Sequence, residues 1–153
     1  MFEKLFPKTI DNRYRGMPLA RWMFVAITVL SVGRSLAHIF LPDGGAQSIA
    51  TIPLASVSQT AAEVVIGMFA YWGLSQLMFG LVFVLVLCRY QSLIPLMWLF
   101  VFVDWAGRLL LGFVKPIETT NTAPGAIGNW VIPVLALFML MFSLKEKNKN
   151  NQE

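Results

Sequence analysis

The chain has 153 residues, of which 57% are hydrophobic and 13% are charged, and its mean hydropathy is +0.66. This composition is outside the range of soluble globular domains and is typical of integral membrane proteins. The formal charge of +4 does not indicate nucleic-acid binding, because the basic residues stand at the ends of apolar segments. The single cysteine, Cys88, excludes an internal disulfide, and the sequence has no metal or cofactor motif, so we expect neither a bound metal nor a cofactor.

The chain divides into a basic leader, four apolar segments and a polar tail. Each apolar segment is long enough, at about 1.5 Å per helical residue, to cross a hydrocarbon core of about 30 Å. Turn-forming residues from Pro42 to Gly45 end the first segment, and Ser92 with Pro95 favours the start of the third. We predict a cytoplasmic leader at residues 1–21, spans at 22–41, 64–88, 93–114 and 126–144, and a disordered cytoplasmic tail at 145–153.

The leader and the first span also resemble a signal peptide, with the small residues Ser35 and Ala37 near a cleavage position. Arg34 interrupts the expected approach to that position, and the apolar run continues as far as Leu41. A retained span is therefore the favoured interpretation.

The distribution of Lys and Arg predicts how the spans are oriented. The basic residues assigned to the inner side are Lys4, Lys8, Arg13, Arg15, Arg21, Arg89, Lys145, Lys147 and Lys149. The outer loops would hold only Lys115, an asymmetry that places both termini in the cytoplasm. We therefore predict an all-α fold, a polytopic four-helix bundle with both termini cytoplasmic, in a bacterial inner membrane.

One short pattern occurs twice, each time near the outer end of a span. In residues 32–42 and 106–116, a Gly-Arg pair is followed by Leu two residues after the arginine and by Pro eight residues after it. A duplicated helix hairpin would relate the two segments by an axis along the membrane normal, and chance similarity is the alternative. In either case Arg34 and Arg108 are predicted at similar depth in the outer half of the bilayer.

An arginine inside a span needs a partner, because an unpaired guanidinium in hydrocarbon costs at least ~2.5 to 3.5 kcal/mol. Asp104 is four residues before Arg108 on the same helical face, so these two residues are predicted to pair. Arg34 has no acidic residue on its own helix. Its counter-charge must therefore come from another span, and Glu63 and Asp104 are the candidates.

The polar side chains of the spans are predicted to converge in the outer half of the bundle, where they would line a pocket for a small anionic or amphipathic ligand or a lipid. The alternative is that they form structural ion pairs, which fix the helix register without a ligand. A metal-binding or proton-carrying role for the single histidine is not favoured, because no further nitrogen or thiolate ligand accompanies it. The predicted ligand-binding residues are Arg34, His38, Glu63, Tyr71, Gln76, Asp104 and Arg108.

Small and aromatic residues of the spans have a structural interpretation. Gly73 and Gly80, which are seven residues apart, and Gly33 are predicted to allow close contact between helices. Trp98 and Trp105 are interpreted as packing or interface residues.

Two other functions remain open beside ligand binding. One is an accessory or assembly subunit of a membrane complex, whose outer loop at 43–62 would contact a membrane-protein partner or a second copy of the chain. The other is a membrane enzyme or redox partner that acts on lipid or quinone, with Glu63, His38 or Asp104 as acid and base. Catalysis is not favoured, because no nucleophile–base motif or cofactor fingerprint accompanies these residues.

Glu63 at the mouth of the second span and the Gly107–Leu110 segment near the outer end of the third resemble the DoxX-like group of small bacterial membrane proteins. The resemblance covers about residues 20–144 and implies four short spans with cytoplasmic ends. Many members of the group have no assigned activity, so the resemblance implies architecture more than chemistry, although some relatives are implicated as membrane partners of redox enzymes. Arg34, His38 and Asp104 do not match the pattern of the group.

Overall fold

The structure, a computed structural model, describes residues 2–145, so the predicted tail lies outside the described residues except for Lys145. The described chain contains four helices that are long and apolar enough to cross a membrane. The predicted all-α, four-helix membrane fold is therefore confirmed. The helices are α1 (Phe2–Leu5), α2 (Pro18–Phe40), α3 (Gln59–Arg89), α4 (Ile94–Val114) and α5 (Pro124–Leu144).

The four long helices overlap the predicted spans, but α2 and α3 begin four and five residues earlier than predicted. α2 starts at Pro18, because the missing amide of proline is not needed in the first turn. α3 follows Ser58, whose Oγ accepts a hydrogen bond from the Ala61 amide at 3.3 Å. The predicted starts of these two spans rest on apolarity alone, whereas the helices extend beyond the apolar core into polar and capping residues.

The two ends of the bundle carry different parts of the chain. Residues 6–17 contact the connection between α3 and α4 through a hydrogen bond from the Ser92 amide to the Asp11 carbonyl at 3.2 Å, and we name this the leader end. The α2–α3 and α4–α5 loops lie at the opposite end, named the loop end. There the Thr120 amide donates to the Thr51 carbonyl at 2.9 Å, which ties the two loops together.

The helices pack as two hairpins, α2 with α3 and α4 with α5. A Cβ added at Gly73 would stand 2.7 Å from the His38 Cβ, and one at Gly80 would stand 2.9 Å from the Val32 Cγ2. The predicted contact role of Gly73 and Gly80 is therefore confirmed. The same prediction is wrong for Gly33, because a Cβ there would meet no atom within 4 Å.

An aromatic core joins the two hairpins in the leader half of the bundle. Trp98 of α4 is fully buried, and its Nε1 donates to the Ala20 carbonyl of α2 at 3.1 Å. The Phe24 ring lies against the Trp98 ring, with centroids 5.7 Å apart, and against Phe83 of α3 at 5.1 Å. The leader half of α2, α3 and α4 is thus held by ordinary apolar packing.

One carboxylate organises the loop after α2. Asp43 accepts hydrogen bonds from the amides of Gly45 at 2.9 Å and Ser48 at 2.6 Å. Partial burial opposes ionisation of Asp43, but its hydrogen bonds outweigh this effect and hold its pKa below the usual 3.8. The ionised carboxylate therefore stabilises the loop fully when the pH is above the usual pKa of 3.8. This stabilisation is lost as the pH falls through the lowered pKa.

Replacement of Gly73 by alanine should destabilise the bundle by about 1 to 3 kcal/mol. The added methyl group would overlap the His38 Cβ and approach the Ser35 carbonyl, both of which are fixed by α2. Gly67→Ala is the matched control, because Gly67 is on the same helix and a Cβ there meets no atom within 4 Å. Thermal unfolding in detergent measures the difference, and equal melting temperatures for the two variants would contradict the close α2–α3 contact.

Candidate functional site

Two arginines lie at the same level in the loop half of the bundle, Arg34 on α2 and Arg108 on α4. Each is six residues before the last residue of its helix, Phe40 or Val114, which corresponds to about 9 Å. Both guanidiniums contact the same two indole rings. These shared contacts show that the two arginines lie at the same level of the bundle, whereas their similar depth in the outer half of the bilayer stays a prediction.

Trp72 of α3 and Trp105 of α4 provide the two rings. The Cζ of Arg34 lies 5.3 Å from the centroid of Trp72 and 5.0 Å from that of Trp105. The Cζ of Arg108 lies 5.0 Å and 5.4 Å from the same two centroids. The face of an indole attracts a cation by up to about 2 kcal/mol in a desolvated site, so the rings offset part of the cost of placing two like charges together.

Arg108 has the carboxylate partner that the sequence predicts. Its Nε donates to Asp104 Oδ2 at 3.0 Å, and its second terminal nitrogen donates to Asp104 Oδ1 at 2.9 Å. This two-point geometry matches the planar fork of a guanidinium to a carboxylate. The Asp104 side chain nevertheless remains 52% exposed, so one side of this carboxylate is not covered by the protein.

Arg34 has an amide partner in place of a carboxylate. Its Nε and a terminal nitrogen donate to Oε1 of Gln76 on α3, at 3.2 Å and 2.6 Å. Among residues 2–145, no carboxylate oxygen lies within 4.0 Å of the Arg34 guanidinium. The Nε2 of Gln76 is buried and has no hydrogen-bond partner in the same part of the chain.

We name these side chains together the guanidinium cluster. It holds two positive charges and one negative charge, and it therefore carries a net charge of +1 inside a membrane-spanning region. The cluster joins α2 to α3 and to α4, and it lies nearer the loop end than the aromatic core does. Its members are Arg34, Trp72, Gln76, Asp104, Trp105 and Arg108.

A cavity of about 90 Å³ lies beside the cluster and is lined by residues of α2, α3 and α4. Four polar members of the cluster and Trp105 line its loop-end side. Ser31 and apolar side chains one to two turns nearer the leader end line the remainder, so the cavity has a charged end and a mostly apolar end. The apolar lining residues are Leu30, Phe79, Phe83, Phe100 and Val101.

His38 extends this polar region towards the loop end, as the sequence predicts, but its ring is held by other contacts. It is 2% exposed, and its Nδ1 donates to the Gly44 carbonyl at 2.8 Å. Its ring centroid is 5.0 Å from that of Trp72 and 5.5 Å from that of Phe69. His38 thus contacts Trp72, which both arginines also contact, and fixes the loop after α2, but it does not line the cavity.

The structure does not bring the two other predicted site residues to the cluster. The expectation that Glu63 could supply the counter-charge of Arg34 is wrong, because Glu63 is thirteen residues, or about 20 Å of helix, from Gln76. Its carboxylate instead accepts a hydrogen bond from Gln59 at 3.0 Å. Tyr71 is 75% exposed, because it lies on the face of α3 that points away from α2.

The role of the two tryptophans that contact the guanidiniums does not follow from the predictions made above. Trp105 is predicted to be a packing or interface residue, and it is indeed only 8% exposed, but it also contacts both cations. The helical spacing of the two tryptophans could have indicated this role. Trp105 is three residues before Arg108, and Trp72 is four residues before Gln76, so each ring shares a face with a polar member of the cluster.

The described residues 2–145 include no group of three or more His, Cys, Asp or Glu side chains that could hold a metal ion. No protein-family model, curated protein or solved structure matches the chain. The fold and the site therefore define only a class: a multi-pass membrane protein of four helices, with a tryptophan-flanked arginine pair inside its spans.

Gln76→Glu should stabilise the ligand-free protein by about 1 to 2 kcal/mol, because it places a carboxylate against Arg34 and removes the net charge of the cluster. Gln76→Leu should destabilise it by a similar amount, because Arg34 loses both of its hydrogen bonds. Thermal unfolding at neutral pH measures both changes. Destabilisation by Gln76→Glu would indicate that the cluster is already neutral, which would contradict its net charge of +1.

Proposed function

We propose that this protein binds the anionic head group of an amphiphilic molecule in the outer half of a bacterial inner membrane. The observation that carries the proposal is the charge of the guanidinium cluster, which contains two guanidiniums and one carboxylate. An ionised group inside a span is costly unless it is paired, and such groups are functional candidates by default. A bound anion would neutralise the remaining positive charge.

Hydrogen bonding supports the same proposal. The buried Nε2 of Gln76 has no acceptor within the described chain, and an unpaired buried donor costs about 1 to 3 kcal/mol. A carboxylate or phosphate oxygen in the adjacent cavity would accept a hydrogen bond from it. The same oxyanion would face Arg34, whose planar fork suits such ligands.

The shape of the cavity favours an amphiphile over a simple anion. Its apolar end is lined by aromatic side chains such as Phe79 and Phe100, and it points from the cluster towards the middle of the bundle. A molecule whose head contacts the arginines would therefore place its tail along α3 and α4. A lipid in the outer leaflet has its head group and tail in the same orientation. Such a lipid would enter the cavity laterally from the bilayer.

The orientation in this proposal rests on the distribution of basic residues. Lys and Arg concentrate at the leader end, and Lys115 alone lies in the α4–α5 loop, which supports a cytoplasmic leader and an outward-facing loop end. Membership of the DoxX-like group is part of the same proposal, supported by Glu63 and by the Gly107–Leu110 segment.

A second candidate function is attachment to a partner membrane protein. Asp104 favours it, because a half-exposed carboxylate within a span is costly unless something covers it. A basic side chain on a partner helix would pair with Asp104, and the chain would then act as an accessory subunit.

Binding of dibromostearate, a fatty acid whose bromines quench tryptophan fluorescence, tests the main proposal. We expect saturable quenching of the full-length protein in detergent by the acid, and much weaker quenching by its uncharged methyl ester. Arg34→Gln should weaken binding of the acid by about tenfold to a hundredfold, as expected when a charge-assisted hydrogen bond is lost.

Tyr71→Phe is the matched control, because Tyr71 is on the same helix as Gln76 but faces away from the cluster. Size-exclusion profiles and helical circular dichroism show whether each variant is folded. Equal quenching by acid and ester, or equal loss of binding in the Arg34 and Tyr71 variants, would contradict the proposal.

A further inference from the structure

The leader is folded onto the end of the bundle. The Met17 amide donates to the Phe142 carbonyl at 3.1 Å, and Nδ2 of Asn12 donates to the Cys88 carbonyl at 3.3 Å. Both acceptors lie in the last turn of a helix, where carbonyls have no donor within the helix. The leader thus caps α5 and α3, and its basic side chains lie near the negative ends of two helix dipoles.

Two further contacts fix the position of the leader. The Asp11 amide donates to Ser92 Oγ at 3.0 Å, in addition to the hydrogen bond that Asp11 accepts from Ser92. Gly16 packs so closely that an added Cβ would overlap the Ser143 carbonyl of α5 and the Tyr14 hydroxyl. The surface between the leader and the bundle is therefore built by specific contacts.

A cavity of about 280 Å³ lies between the leader and the bundle end. Its lining contains four basic side chains and one acidic side chain. Hydroxyl groups of Thr9, Tyr14 and Ser92 also line it, so it offers hydrogen-bond partners as well as charge. The charged lining residues are Glu3, Lys4, Lys8, Arg13 and Arg15.

Arg13 carries a cationic group that the described chain leaves unpaired. Lys8 pairs with Glu3 at 3.3 Å, and Arg15 pairs with Asp11. Among residues 2–145, no carboxylate oxygen lies within 4.0 Å of the Arg13 guanidinium. The lining of the cavity therefore includes a guanidinium that has no carboxylate partner within residues 2–145.

The cavity lies at the level of the helix ends. Pro95, in the first turn of α4, and Ser143, in the last turn of α5, both line it. The ends of membrane-spanning helices lie among lipid head groups. Ile10 of the leader is 57% exposed, and an exposed apolar side chain beside a basic cluster is typical of a segment that rests in this interface.

We infer that this cavity binds the phosphate of an anionic phospholipid head group. The phosphate oxygens would accept hydrogen bonds from the Arg13 fork and from the hydroxyl of Thr9, with Lys8 nearby as a second cation. A soluble phosphate offers the same oxygens, but the position at head-group level and the exposed Ile10 favour the lipid. The site is at the opposite end of the spans from the guanidinium cluster and is independent of the function proposed there.

Native mass spectrometry of the full-length protein, titrated in detergent with phosphatidylglycerol or with phosphatidylcholine, tests this inference. We expect tighter binding of phosphatidylglycerol. Arg13→Gln should weaken it by about fivefold, and the double variant Lys8→Gln/Arg13→Gln by about 25-fold, as expected for the loss of one and two cations near a lipid phosphate. Arg13→Lys should retain most of the affinity.

Arg89→Gln is the matched control, because Arg89 is a basic residue at the same end of the bundle that does not line the cavity. Equal weakening by Arg89→Gln and Arg13→Gln would indicate diffuse surface attraction and overturn the site. Equal affinity for the two lipids would also overturn it. Displacement of phosphatidylglycerol by millimolar inorganic phosphate would overturn the assignment to a lipid in favour of a soluble anion.

Discussion

The loop half of this bundle depends on the stacking of two guanidiniums against the same two indole rings. Each arginine would cost at least ~2.5 to 3.5 kcal/mol if it were unpaired in hydrocarbon. Trp72 and Trp105 offset part of this cost for both cations, Asp104 pairs with one of them, and Gln76 supplies a carbonyl oxygen to the other. The interaction also joins the two hairpins, because Arg34 of α2 contacts Trp105 of α4 and Arg108 of α4 contacts Trp72 of α3.

The same interaction leaves two requirements unmet, and the proposed function follows from them. The cluster retains one positive charge, and Gln76 retains a buried donor without an acceptor in the described chain. A purely structural ion-pair network would be expected to satisfy both, because an incompletely satisfied network is costly at low dielectric. A cavity with a charged end and an apolar end lies directly beside the unmet groups.

Most of the fold could be predicted from the sequence, because the length of an apolar segment and its flanking turn residues determine a membrane span locally. The Asp104–Arg108 pair was also predictable, since its four-residue spacing lies on one helix. The position of Glu63 was not, because α3 continues beyond its apolar segment and carries this residue away from the arginines. Tyr71 was misplaced because α3 is apolar on all sides, so its sequence does not show which face packs against α2.

The contacts of the leader, at the opposite end of the bundle, also could not be predicted from the sequence. Its basic residues predict that it lies at a membrane surface, but not that its backbone caps α3 and α5 and encloses a cavity with them. Those contacts join residues that are far apart in sequence, such as Asp11 and Ser92. The two ends of the molecule thus present separate cationic sites, one inside the spans and one at their margin.

In the proposed function, the head group of an amphiphile neutralises the net charge of the guanidinium cluster. This can be tested by a crystal structure of the protein grown in lipid with a brominated fatty acid, because bromine can be located by its anomalous scattering. We expect carboxylate density between Arg34, Arg108 and Nε2 of Gln76, with bromine peaks between α3 and α4. Bromine peaks elsewhere, with Arg34 paired directly to Asp104 and the cavity closed, would contradict it.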